Sequence, residues 1–120
     1  MSATDIGNQF VKFYYDTFDN NRAGLSPLYM ANSTLTFEQA TVQGQQAIIE
    51  KFNTLPKTQH KTDTIDIQPS LNESSILIFV TGKMIIDSNP PLQFTQVFQL
   101  VAHQPGQFYV HNDIFRLIYG

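Results

Sequence analysis

From His60 onward the apolar residues recur at every second position in four runs, HKTDTIDIQP, SSILIFVTGKMIID, LQFTQVFQLVA and QFYVHNDIFRLIY. Side chains of an extended chain alternate between two faces, so runs with this period fold as strands rather than helices. The intervals between them, SLNE, SNPP and HQPG, are turn chemistry. Four long strands in succession predict an antiparallel meander. In ILIFV both alternating sets are apolar, so this strand needs cover on two faces, from helices on one side and from a partner chain or a second sheet layer on the other.

The first half of the chain has a different period. Ile6, Phe10, Phe13, Tyr14 and Phe18 recur at steps of three and four behind Thr4, a residue suited to cap a helix, with Asp5 in the first turn. One amphipathic helix follows from this. DNNRAG breaks it, and AGLSPLYM predicts a short second helix in which Pro27 is tolerable only in the first turn. STLTFEQATV, rich in Thr and apolar residues, predicts a strand or hairpin with its turn near Glu38 to Ala40. GQQAIIEKFNTL predicts a third helix through Ala47, Ile48, Lys51 and Phe52, closed by Pro56. Helices early and strands late make an α+β domain, a curved antiparallel sheet with helices on one face.

Composition narrows the function. The 120 residues, 42% apolar and 12% aromatic, supply a core for one domain spanning 1–120. Net charge is −3 and the seven Lys and Arg are scattered, which disfavours a phosphate-backbone binder and hence nucleic acid as a partner. With no cysteine, thiolate nucleophiles, disulfides and thiolate metal sites are excluded. His60, His103 and His111 lack ligand spacing with acids, and no Gly-rich phosphate loop is present, so neither a metal nor another cofactor is expected. The start MSATDIGNQF lacks the pattern of a secretory signal and ILIFV is too short to span a bilayer, so no membrane association is expected and we read a soluble intracellular protein.

Glu38 directly follows Phe37 at the end of an apolar run. An acid beside an aromatic is a tuned catalytic carboxylate, a fixed partner for another molecule's cation, or an ordinary strand end. Residue chemistry alone leaves the three open.

The segments FYYDTFDNNRAGLSPLY, LTFEQATVQGQQAIIEK, LP…QH and NDIFRL, in this order and spacing, resemble the nuclear transport factor 2 family from about Ile6 to Leu117. The resemblance implies a cone-shaped α+β fold of the cystatin-like roll type, with three helices on the concave face of a strongly bent antiparallel sheet. It also implies a cavity between sheet and helices, a homodimer formed through the sheets, and no enzyme activity. Members of the family carry the GDP-bound GTPase Ran into the nucleus and bind FxFG repeats of nuclear pore proteins. The resemblance therefore implies Ran-GDP and FxFG nucleoporins as partners, and a location in cytoplasm and nucleus with enrichment at the pore and envelope.

Residue by residue, Phe37 and Glu38 match the family's aromatic–acid pair, in which the aromatic helps receive a Ran phenylalanine and the acid bonds a basic Ran residue. Asp87 matches the first of two further acids, with Asn89 where the second is expected. His60 matches a histidine at the cavity edge. Ala3 stands where an aromatic that contacts FxFG repeats is usual.

Two other readings belong beside the carrier. Related folds include dehydratases and isomerases, for which the candidates are Asp113 with His111, Glu38, or Asp87 with His103; period two puts His111 and Asp113 on one face with Tyr109 and Phe115. Asn112 and Asp113 nevertheless belong to the transport-factor pattern, where they support sheet and dimer. A non-catalytic heterodimer partner of an mRNA export receptor is the other reading, and retention of both Glu38 and Asp87 favours the Ran carrier over it.

Overall fold

The computed structural model describes residues 2–119. Helix α1 runs Ala3–Asn20, and its cap is Ser2, whose hydroxyl accepts the Asp5 amide at 3.1 Å; the expected cap, Thr4, lies inside the helix. The buried stripe is Gly7, Val11, Tyr14, Tyr15 and Phe18. It is rotated from the expected one, so that Tyr15 is buried and Phe13 is half exposed.

A 3₁₀ helix, Arg22–Leu28, stands in place of the expected short second helix, and Pro27 lies near its end rather than in its first turn. Strand β1, Tyr29–Phe37, turns at Glu38 into β2, Ala40–Gln43, which confirms the hairpin. Helix α2, Gln45–Asn53, buries Ile48 and Phe52 and starts from Gly44 at φ 95°, a backbone that favours glycine. The four period-two runs form β3 (Thr58–Pro69), β4 (Ser75–Ile86), β5 (Leu92–Gln104) and β6 (Gln107–Ile118).

These six strands make one curled sheet in the order β2-β1-β6-β5-β4-β3. The meander β3 to β6 is antiparallel, as expected, but β1 lies parallel to β6, with Leu35 opposite Asp113 and Phe37 opposite Phe115. The sheet is therefore mixed. The difference has a topological cause: α2 crosses from the β1–β2 edge to the far edge, and β1 meets the meander only through its last strand.

Inward residues of the sheet face α1, α2 and the 3₁₀ helix. Leu35, Ile78, Val80, Phe98, Leu100 and Val110 are at most 1% exposed, and burying one such side chain contributes about 1.5–3 kcal/mol. Gly82 is required at a close approach: a Cβ there would lie 2.2 Å from the Lys61 carbonyl oxygen, beside the irregularity between Thr62 and Thr64.

Strand β4 has the two apolar faces expected of ILIFV. Ile76, Ile78 and Val80 point into the core, whereas Leu77 and Phe79 point outward and are each 39% exposed. Phe79, Val97 and Ile114 lie opposite one another on β4, β5 and β6, so an apolar stripe crosses the outer face. Among the described residues nothing covers that stripe.

Candidate recognition site

The sheet has one end at which four of its parts meet. The β1–β2 turn carries Phe37 and Glu38 beside the end of β6, since Phe37 is opposite Phe115. Leu117 and Ile118 of β6 lie opposite Phe94 and Gln93, just after the β4–β5 turn that carries Asp87 and Asn89. Thr58, at the start of β3, is opposite Ile86. All five residues named from the sequence, Phe37, Glu38, His60, Asp87 and Asn89, therefore lie toward this end.

Phe37 is half-buried and stacks flat on Phe115, with ring centroids 4.6 Å apart and 4° between planes; Phe115 stacks in turn on Phe94 at 5.4 Å. The Lys51 ammonium sits 5.8 Å from the Phe37 centroid. A three-ring column thus runs from the surface inward, and it fixes the orientation of its outermost member.

Glu38 adopts φ 58°, the left-handed conformation of a tight turn. Three contacts hold it. Its backbone N–H donates to the Phe115 carbonyl at 2.9 Å, the Arg116 guanidinium donates to its carbonyl at 3.4 Å, and its carboxylate accepts the Leu117 amide. The acid is a partly exposed charge on a fixed corner, with one oxygen committed to the sheet.

On the other side of the same end, Asp87 also has a left-handed backbone, φ 55°, and donates its N–H to the Lys57 carbonyl at 2.8 Å. Asn89 donates its N–H to the Ile86 carbonyl at 3.0 Å. Both side chains are exposed.

His60 differs from the rest. Its side chain is only 2% exposed, stacked on Tyr15 at 4.7 Å and edge-on to Phe18 and Phe94. Its Nδ1 is 2.7 Å from Asp19 Oδ1, and its backbone N–H donates to Asp19 Oδ2 at 2.8 Å. The Thr58 hydroxyl donates to the same Oδ1 at 2.8 Å. Burial pushes the Asp19 carboxyl up, but its hydrogen bonds with His60 and Thr58 hold it below its ordinary value. Asp19 is the residue that sequence reasoning missed: its partners lie about forty positions away, and an acid near the end of an amphipathic helix carries no local sign of them.

The centre of the space between helices and sheet is occupied by the rings of Tyr14, Tyr15, Phe18, Phe94 and Phe98, all at most 5% exposed and in edge or tilted contact, and a cleft of about 310 Å³ remains at its edge between α1 and β3, lined by Tyr15, His60 and Ile65. Asp113 lies among these rings, fully buried. Its Oδ2 accepts from Tyr29 at 2.7 Å and from Tyr14 at 3.2 Å, and its Oδ1 accepts from the Gln96 amide at 2.7 Å. Tyr15 donates to Gln96 Oε1 at 2.7 Å, completing a network that ties α1 to β1, β5 and β6. Burial pushes the Asp113 carboxyl up to about 6, against the lowering by these donors. The tyrosine hydroxyls are themselves pushed well up, by burial first and then by the Asp113 charge.

The proposed pairing of Asp113 with His111 does not form. The register shifts between Gln99 and Leu100, so Asp113 pairs with Phe98 but Val110 with Leu100, and His111 takes up the extra position. Period two fails across that irregularity. Tyr109 pairs with outward-facing Val101, and His111 Nδ1 lies 3.2 Å from the Tyr109 hydroxyl. The other pairing fails too, because Asp87 precedes the start of β5 and His103 is at its far end. Among the described residues no group of three or more His, Cys, Asp or Glu is arranged to hold a metal ion, and no helix is long and apolar enough to cross a membrane.

Comparison with known proteins agrees with the fold and extends it. The family model of the Nuclear transport factor 2 (NTF2) domain matches residues 6–117. The chain is similar to the nuclear transport factor 2 of Emericella nidulans, 51% identical over 118 residues that cover 96% of this chain and 94% of that protein. It is 44% identical to nuclear transport factor 2B of Arabidopsis thaliana over 100% of this chain and 98% of the relative. Among solved structures, nuclear transport factor 2 of Cryptosporidium parvum superposes with a TM-score of 0.91 at 44% identity, covering 97% and 94% of the two chains.

Proposed function

The chain belongs to the nuclear transport factor 2 family, and from that premise we infer that it is a carrier that imports Ran in its GDP form through the nuclear pore. Phe37 and Glu38 form one lip of the recognition surface, and Asp87 with Asn89 forms the other. The observation that carries this reading is the fixed geometry of the aromatic–acid pair: a ring stacked in a column and a carboxylate locked on a left-handed corner. An apolar anchor beside an oriented charge supplies affinity from burial and discrimination from electrostatics.

The carrier works as a homodimer through the outer sheet face, where the stripe Phe79, Val97 and Ile114 meets its copy. Binding needs no chemistry, and Asp113, sealed among tyrosines, serves the core rather than catalysis. Selectivity for GDP follows if the complementary basic and aromatic groups of Ran are presented together only in that state, since a ligand favours the conformation it binds better. Exchange to GTP then supplies release. FxFG repeats of pore proteins bind elsewhere on the dimer, and the carrier moves between cytoplasm and nucleus with enrichment at the pore and envelope. Ala3, in place of the usual aromatic, lines a cleft of about 410 Å³ with Ile6, Pro69, Ile76 and Phe108, so apolar surface persists at that position.

The test is titration calorimetry of the purified protein against Ran loaded with GDP and, in parallel, with a non-hydrolysable GTP analogue. Binding selective for GDP supports the carrier; equal binding to both forms, or none, refutes it.

A further inference from the structure

At the recognition end, Asp87 sits on an exposed turn with a left-handed backbone just past β4. Its N–H donates across to the carbonyl of Lys57, one step beyond the Thr58–Ile86 pair of β3 and β4. The position of this acid therefore depends on the loop between α2 and β3.

That loop is held by the last turn of α1 and by Arg22, two residues beyond its end. Arg22, at the start of the 3₁₀ helix, donates from its guanidinium to the carbonyls of Phe52 at 2.9 Å, Leu55 at 2.8 Å and Pro56 at 2.9 Å. It also reaches the Thr58 hydroxyl at 3.4 Å. Asp19, one helical turn earlier, accepts from the Thr58 hydroxyl, from the His60 amide and from the His60 ring. Lys57 lies between Pro56 and Thr58, the two residues that these side chains grip. A carboxylate accepting three bonds and a guanidinium donating to several carbonyls thus fix the carbonyl that receives Asp87.

We propose that Asp19, together with Arg22, is a positioning residue for the recognition surface, acting through Lys57 to set where the Asp87 carboxylate is presented. His60 then belongs to this brace, as the residue Asp19 holds from both ring and backbone, and not to the contact surface. The inference rests on the carrier reading for its consequence in binding, but the brace itself is a property of the free protein.

The experiment has two arms. In the free protein, hydrogen exchange is followed by NMR at the Asp87 amide, with the Leu117 amide as the internal control because Glu38 holds it at the other lip. Asp19→Asn keeps the size of the side chain and weakens the acceptor; Asp19→Ala removes it. Asp87 exchange faster by about tenfold with Leu117 unchanged is the expected result, because loosening the grip on Lys57 raises the local opening that exposes the Asp87 amide. Unchanged Asp87 exchange, or equal acceleration at both amides, overturns the proposal.

In the second arm, affinity for Ran-GDP is measured for Asp19→Asn, Asp87→Asn and the double variant. Coupling through Asp87 predicts an about three- to tenfold loss from Asp19→Asn in the wild-type background and none in the Asp87→Asn background. Equal losses in the two backgrounds overturn the proposal. If the wild-type protein fails to bind Ran-GDP, the carrier reading fails while the exchange arm still decides the brace.

Discussion

Replacing Asp113 by Asn isolates the cost of the buried charge. The carboxyl is fully buried, and the fold moves it from its ordinary value of 3.8 to about 6. At 1.36 kcal/mol per factor of ten, its ionised form opposes folding by about 3 kcal/mol at pH 7. The folded protein holds this proton more tightly than the unfolded chain, so through pH 4 to 6 the native state is the more protonated one. Stability from this group is therefore present in acid and falls as pH rises through 6. Asp19 has the opposite sign, contributing stability above its ordinary range and losing it in acid, but it is common to both proteins and cancels in their difference.

The assay is urea unfolding of wild type and Asp113→Asn at fixed protomer concentration between pH 4 and pH 7. Because Asn does not titrate, the stability of the variant relative to wild type rises by roughly 2–3 kcal/mol between those limits. This holds whatever constant cost arises from presenting an amide to the Tyr14, Tyr29 and Gln96 partners. A difference that is flat with pH refutes the reasoning, since it would mean that Asp113 carries no displaced proton.

Glu38→Gln keeps an oxygen for the Leu117 amide but drops the charge, so affinity for Ran-GDP falls by about tenfold or more, with thermal stability close to that of wild type; undiminished affinity in calorimetry counts against the lip. Asn89→Asp adds a carboxylate to the other lip and tightens binding, with an increased salt dependence in the same assay. Phe79→Asp puts a charge into the outer stripe, so the proposed dimer gives way to a folded monomer in sedimentation equilibrium, whereas a dimer in both proteins would exclude that face. Gly82→Ala forces a methyl against the Lys61 carbonyl and costs about 1–3 kcal/mol in denaturant unfolding; a neutral result would mean that β3 shifts freely.

What could be read from the chain tracks how local its cause was. The last four strands and their turns followed from period two, and α2 from helical spacing with Pro56 beyond it, because those signals are carried by neighbouring residues. The Glu38 turn was visible for the same reason. The parallel alignment of β1 with β6 was not, since pairing partners nearly eighty positions apart leave no mark on either segment. The irregularity at His111 was hidden too, and it reversed the inferred face of Tyr109 and His111 relative to Asp113. Phe37, Glu38, Asp87 and Asn89 were named from a family pattern that one-dimensional chemistry alone would have left ambiguous. The same pattern named His60 as an edge residue, whereas its burial against Asp19 follows from a contact made only in three dimensions.

The parallel alignment of β1 with β6 also bears on how the protein comes to be made. Strands β3 to β6 follow one another as hairpins and close by short-range contacts, but β1 emerges early and its sheet neighbour is the last strand synthesised. Until β6 arrives, the β1–β2 hairpin has only helical neighbours to shelter it, and a two-stranded ribbon is marginal alone. Phe37 therefore waits for Phe115, Glu38 for the Leu117 amide, and Tyr29 for Asp113. Closure of the N-terminal half and assembly of the proposed recognition lip are then the same late event, so a chain truncated before β6 has neither.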